Sequence, residues 1–138
     1  MKRVTGIGGV FFKSDKPDEL KDWYRDHLGL NADQWGATFQ WHPIGDTKHK
    51  ARTQWSLFKK DSDYSKPSEK EFMMNYRVEN LKELLEVLEK EGVQVVGKME
   101  EYDYGKFGWI VDPEGNKIEL WEPVDEVLDK FEEENSLA

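Results

Sequence analysis

Phe107-Gly108-Trp109-Ile110-Val111-Asp112-Pro113-Glu114-Gly115-Asn116-Lys117-Ile118-Glu119-Leu120-Trp121-Glu122-Pro123 is the stretch whose reading decides the fold. Its middle is a turn, because Pro113 presets φ and Gly115 accepts the positive φ that such a turn needs. The flanks therefore read as two strands, 106–111 and 117–122, folded back on each other. Alternation along the second puts Glu119 and Trp121 on one face and Ile118 and Leu120 on the other. The apolar pair calls for helices above it, which leaves Glu119 on the opposite, open face.

Upstream, a strand at Phe72–Val78 leads to Asn80, with Glu83 three residues on in a capping-box-like pair. Leu81, Leu84, Leu85 and Leu88 recur at helical spacing, and Gly92 ends the helix. A strand over Val93–Met99 then connects to the closing hairpin. The first half has the same grammar. Ile7–Ser14 reads as a strand, Asp15 as an N-cap with Pro17 in the first turn, and Leu20, Trp23, Tyr24, His27 and Leu28 as one apolar helical face stopped by Gly29. Trp35, Ala37–Trp41 and Thr53–Phe58 follow as β-like runs. At an offset of 64, Gly9 falls on Met73, Leu20 on Leu84 and Tyr24 on Leu88. The expected fold is α+β: two βαβββ modules forming one curved mixed sheet around a groove, with helices outside and a C-terminal helix. The expected organisation is one domain over 1–138, with module one at about 5–60, a polar linker at 61–70, module two at about 71–122 and a tail helix at 123–138. Val124, Val127, Leu128 and Phe131 share a face of that tail, and Glu132, Glu133 and Glu134 read as its solvated end.

Composition narrows the function. With 29 acidic against 20 basic residues the net charge is −9, and no basic stripe offsets it; Lys48, His49, Lys50 and Arg52 make only a short loop cluster. Such a chain repels phosphate backbones, so no nucleic-acid partner is expected. The chain has no cysteine, which removes disulfides, thiolate metal sites and a cysteine nucleophile. The glycine-broken run after Met1 contains neither a signal h-region nor a membrane span, so a cytoplasmic protein with no membrane partner is expected. Serine-hydrolase elbows, phosphate loops and zincin helices are all missing from the sequence.

The ordered motifs Gly8-Gly9-Val10-Phe11-Phe12, Trp23-Tyr24-Arg25-Asp26-His27-Leu28-Gly29-Leu30 and the closing run to Pro123 resemble the vicinal-oxygen-chelate superfamily, the group of glyoxalases, bleomycin-resistance proteins and extradiol dioxygenases. The resemblance implies a divalent metal held by side chains from strands one, four, five and eight. Carried over position by position, those slots fall on Gly9 (or Gly8), Ser56 with Gln54 as same-face neighbour, Met73 and Glu119. Only Glu119 is of a usual ligand type. A thioether such as Met73 is too soft for a site of this kind, and one carboxylate is short of the three protein ligands a catalytic metal generally has.

The resemblance thus implies a small-molecule ligand bound in the groove with no cofactor, as in bleomycin-resistance-like proteins. The alternative is a metal-dependent lyase, isomerase or dioxygenase using Glu119 with atypical ligands such as Gln54, His42 or His49. A third reading has Glu119 as a metal-free general base. Phe11, Lys13, Gln54, Ser56, Phe58, Met73, Asn75, Arg77 and Trp121 are the candidate ligand-binding residues and Glu119 the candidate catalytic one. Arg77 and Lys13 suit a carboxylate or phosphate, and the tryptophans suit a flat or cationic compound. Strand-end charges reaching solvent and core aromatics are the plainer alternatives for the same residues. Trp23 and Trp55 are expected in the core, His27 packed on its helix, and Trp41 and Trp109 could face either side. A homodimer is implied by resemblance.

Overall fold

The computed structural model describes residues 2–136, with side chains described through Glu132; Met1 and the last two residues of the expected tail helix, Leu137 and Ala138, lie outside that range. The elements run β1 (Val4–Ser14), α1 (Pro17–Leu28), β2 (Ala37–Trp41), β3 (Ala51–Lys59), β4 (Phe72–Val78), α2 (Leu81–Lys90), β5 (Gln94–Tyr102), β6 (Gly105–Val111), β7 (Lys117–Pro123) and α3 (Asp125–Ser136). One mixed sheet has the order β2-β3-β1-β4-β7-β6-β5. The two modules meet where β1 and β4 pair antiparallel, while β1 with β3 and β4 with β7 are parallel. The expected repeat is therefore present, with one asymmetry. Module one contributes three strands, because the segment around Trp35 closes into a single bridge between Asp33 and Gly36 where module two has a full strand.

The helices sit on the outer face. Leu81 and Leu84 of α2 pack with Val78 and Leu120 in the core, and Leu85, Leu88, Ile110 and Ile118 close around them. Under α1 the packing is aromatic: Tyr24 lies 4.9 Å from the Trp55 ring and 6.5 Å from Phe12. Trp23, expected in the core, is instead half exposed, stacked between Tyr24 and His27, and α1 has no buried residue. The reason is reach: Leu20 and Tyr24 are partly covered, with Tyr24 against Phe12 and Trp55, while Trp23, His27 and Leu28 lie farther round the helix and stay exposed. The caps differ in detail from expectation. Lys16 rather than Asp15 is the cap of α1, and its N–H is taken by Ser14 Oγ at 3.2 Å. Asn80 is the cap residue of α2, but the capping box expected from its spacing does not form: its side chain donates to the Glu83 carboxylate and caps no backbone N–H, and Glu122 from β7 instead accepts the N–H of Leu81 at 2.8 Å.

The inner face is organised by the bare stretch Gly6-Ile7-Gly8-Gly9 at the middle of the sheet. Two register shifts against β4 mark bulges here, with Thr5 the extra residue between Val4 and Gly6 and Gly8 the extra one between Ile7 and Gly9. Larger side chains from neighbouring strands lie over the bare backbone. A Cβ on Gly6 would come within 2.6 Å of the Trp41 ring, one on Gly9 within 2.5 Å of Phe11, and one on Gly8 would overlap Asn75 Oδ1 while standing 3.0 Å from Arg77 and Trp121. All three neighbours of Gly8 are buried and cannot swing aside. Gly8→Ala is therefore expected to lower stability by about 1–3 kcal/mol, the usual cost of an extra methyl in a filled core. Urea unfolding should show a lower midpoint with an unchanged slope. A Gly8→Ala protein as stable as the parent would mean that Asn75 and Trp121 are not fixed over this strand.

Candidate functional site

One line of residues crosses the sheet in register: Thr38, Gln54, Gly9, Asn75, Glu119, Trp109 and Val96, one from each strand. Glu119 is 4% exposed, and a carboxylate so deep needs partners. It has three. Asn75 Nδ2 donates to Oε1 at 2.7 Å, and Trp109 Nε1 and the Tyr64 hydroxyl donate to Oε2, Trp109 at 2.9 Å. Tyr64 belongs to the polar segment between modules, in which Ser65 and Ser68 are also buried. Burial first, and then the adjacent Glu119 carboxylate, push the Tyr64 hydroxyl well above its ordinary pKa, so it stays a donor. Lys117 Nζ donates to the Tyr64 carbonyl at 2.6 Å and sits over the rings of Tyr64 and Trp109, at 5.0 and 5.6 Å. Desolvation lowers its pKa, against the pull of Glu119.

The other candidates occupy distinct surroundings. Phe11 stacks on Phe58 at 5.5 Å, and Phe58 meets Tyr64 edge-on, with Met73 fully buried nearby on β4. Gln54 and Ser56 both donate to the Trp35 carbonyl, at 2.9 and 2.7 Å, and so tie the loop before β2 onto the sheet. Lys13 stands apart at the end of β1, where its backbone meets Glu71. Arg77 lies between the Trp41 and Trp121 rings, 5.6 and 5.4 Å from their centroids, and Trp121 stacks on Phe107. His42 and His49 are exposed: His42 Nδ1 lies 2.8 Å from the His49 carbonyl and the His49 ring pairs with Asp46, outside the groove chemistry. Sequence reading missed Tyr64, Lys117 and Trp109 as neighbours of Glu119. An aromatic residue inside an otherwise polar linker was the available signal for the first.

The four slots of the implied metal do not fit one. Phe11 fills the space beside Gly9, Ser56 and Gln54 are bonded to Trp35, Met73 is a thioether, and both Glu119 oxygens already accept hydrogen bonds from neighbouring side chains. Among the described residues, no three His, Cys, Asp or Glu side chains gather as a ligand group.

The tail helix reshapes the rest of the inner face. Asp125, Asp129 and Glu132, at i, i+4 and i+7, turn toward the sheet and meet Arg52, which is 2% exposed. Arg52 Nε donates to Glu132 at 2.5 Å, and Asp125 is shared with Arg77 at 2.7 Å. Burial works against the Arg52 charge, but its hydrogen bonds to Glu132 and Asp129 outweigh that and raise its pKa. Glu132 is thus a buried-arginine partner and not part of a solvated end. Between α3, β2 and the loop before β2 lies an open cavity of about 900 Å³, bordered by Asp33, Trp35, Thr38, Gln54, Tyr104 and Phe131 among others. Of the sequence candidates only Gln54 borders it.

Tyr64→Phe removes one of the three donors to Glu119 and is expected to lower stability by about 1–3 kcal/mol, because the acceptor is charged and buried. A coincident change in tryptophan emission would report the Trp109 indole, bonded to the same oxygen. If stability is unchanged, the segment over Glu119 does not close the site in solution.

The comparisons agree with this fold. Residues 9–121 match the family described as Glyoxalase-like domain. No curated protein matches the sequence. Among solved structures, methylmalonyl-CoA epimerase from Mycobacterium tuberculosis is similar at 23% identity and TM-score 0.58, over 91% of this chain and 93% of that one. A Streptomyces coelicolor methylmalonyl-CoA epimerase bound to 2-nitronate-propionyl-CoA is similar at 13% identity and TM-score 0.64, over 88% and 99%. An NAD-dependent benzaldehyde dehydrogenase from Legionella pneumophila is similar at 12% and 0.54, over 83% and 97%. These likenesses speak to the fold, whereas the family match spans most of the sequence: the chain belongs to the glyoxalase-like domain family, within the vicinal-oxygen-chelate superfamily.

Proposed function

We propose that this protein binds a small organic molecule in the cavity between α3 and the β2 edge, without a metal at the family position. The observation that carries the reading is the cavity itself: about 900 Å³, walled by Trp35, Tyr104, Val127, Leu128 and Phe131, with Asp33 and Glu132 at its border. That volume is the size of a drug-like ligand site, largely apolar with a few polar groups. Trp35 is 68% exposed there, a large indole face open to a ligand. Aromatic walls beside Asp33, in a chain of net charge −9, suit a cationic aromatic compound through stacking and cation–π attraction. Such binding is sequestration, the role of bleomycin-resistance-like members of the superfamily. The Glu119 carboxylate already accepts three hydrogen bonds, at least one on each oxygen, which weighs against its use as a metal ligand or free base. A cytoplasmic homodimer belongs to the same proposal by family resemblance; no helix among the described residues is long and apolar enough to cross a membrane.

The test is a thermal-shift panel of cationic aromatic compounds. A binder present at 100 times its Kd should add about 2.7 kcal/mol of stability, a rise in Tm of several degrees. Trp35→Ala should weaken that binding about tenfold, the equivalent of one stacked ring with a cation–π contact. The absence of any binder, or a binder indifferent to Trp35→Ala, would remove the proposal. Elemental analysis of untagged protein titrated with Ni, Zn, Mn and Fe(II) addresses the metal-dependent alternative. No stoichiometric metal is expected, and one tightly held ion lost in Glu119→Ala would instead favour a lyase, isomerase or dioxygenase.

A further inference from the structure

We propose that Arg52 and Arg77 form a receptor for the anionic group of a small organic ligand, a carboxylate or a phosphate, and that α3 fills this receptor as a displaceable internal ligand. The site lies under α3, whose Val127, Leu128, Phe131 and Glu132 also border the cavity beside Trp35, so the two sites share that helix; titration with anions and titration with cationic aromatic compounds test them by separate readouts.

The receptor is built on the sheet before α3 arrives. Arg77 comes from β4 and Arg52 from β3, with the bare stretch of β1 between them. Trp41 and Trp121 hold the Arg77 guanidinium from two sides, fixing its plane by contacts that owe nothing to the tail helix. Both arginines are buried, at 2% and 6% exposure. A buried guanidinium requires anions, and Arg presents a planar fork suited to two oxygens of one carboxylate or phosphate.

The helix supplies those anions incompletely. Arg52 receives Asp129 and Glu132 and shares Asp125 with Arg77. Arg77 therefore obtains one oxygen of a divided carboxylate, and its Nη1 remains buried with no hydrogen-bond partner. A buried charged donor left unpaired is costly. A bidentate anion from outside would occupy both nitrogens, which the shared Asp125 does not do.

The mode of attachment also fits displacement. α3 meets the sheet arginines through its acids, whereas its Val127 and Phe131 remain 38% and 58% exposed and Leu128 is only partly covered. Ion pairs, more than apolar burial, hold the helix down, and an external anion competes with ion pairs directly.

The decisive comparison uses the full chain and its Asp125→Asn, Asp129→Asn, Glu132→Gln triple variant, titrated with malonate and with inorganic phosphate against sodium chloride at equal ionic strength. Tryptophan fluorescence reports Trp41 and Trp121, and hydrogen exchange reports the amides of α3. The triple variant should bind at least one anion about tenfold more tightly than the parent, because a site occupied by its own helix shows an affinity reduced by the fraction of time it is open. Arg77→Gln in the same background should abolish binding. Malonate favoured over phosphate identifies a carboxylate ligand, and the reverse a phosphate. If the variant binds neither anion beyond the chloride control, or binds equally with Arg77→Gln, the proposal is overturned. Should the variant not fold, the parent decides. Saturable loss of α3 protection with malonate or phosphate, and not with chloride, supports displacement, and unchanged protection refutes it.

Discussion

Three glycines in the central strand β1 set the terms for the inner face. In most sheets each strand fills its own share of the space above it. Here Gly6, Gly8 and Gly9 contribute nothing, so Trp41, Arg77, Asn75 and Phe11 lie down across β1 from their own positions. The bulge at Gly8 gives them the room and re-aims the rest of the strand. Interior space is filled at near-crystalline density, so these neighbours are as fixed as the glycines are bare. The orientation of Asn75 toward Glu119 and of Arg77 between two indoles both follow from that one vacancy.

Three buried charges lie on this face, Glu119, Arg52 and Arg77, and the fold treats the carboxylate and Arg52 differently. Glu119 is satisfied by neutral donors from three elements, Asn75, Trp109 and Tyr64, with Lys117 held nearby over two rings. Arg52 is satisfied by full charges from a helix outside the repeat. Neutral donors carry little desolvation cost of their own and leave the site closed and permanent. Paired charges are each expensive to bury, and they hold only while the geometry is good. The Glu119 end of the groove is therefore the rigid end, and the α3 end is the part whose attachment can be exchanged.

Much of this was legible in the sequence. Period-two alternation around the Asp112–Asn116 turn placed Glu119 and Trp121 on one face, and the leucines of α2 repeat at a spacing only a helix satisfies. The offset between modules was readable because burial pattern survives where identity does not. What escaped was long-range. Tyr64 sits in a polar segment with no periodicity, and its partner Glu119 is 55 residues away. Arg52 looked like one more member of a basic loop, since nothing local says that a tail 80 residues on would bury it. Trp23 shows the converse error: helical spacing proves a stripe, but whether anything covers the stripe is a tertiary fact.

The same reasoning bears on the altered metal slots. In a site built for a cation, ligand carboxylates keep their oxygens open, because the ion offsets their burial. Here the two Glu119 oxygens are already bound by an amide, an indole and a phenol. Three donors to one carboxylate stabilise its buried charge without an ion, and a metal would have to break that arrangement before coordinating. The substitutions at Gly9 and Met73 are consistent with this: once the carboxylate is held by neighbours, the space beside Gly9 is free for the ring of Phe11, and the Met73 position can serve the apolar packing of the sheet. On the proposed metal-free reading, the donors around Glu119 and the non-ligating residues at Gly9 and Met73 belong together: neighbours hold the carboxylate in a closed structural centre, while open volume lies at the β2 edge.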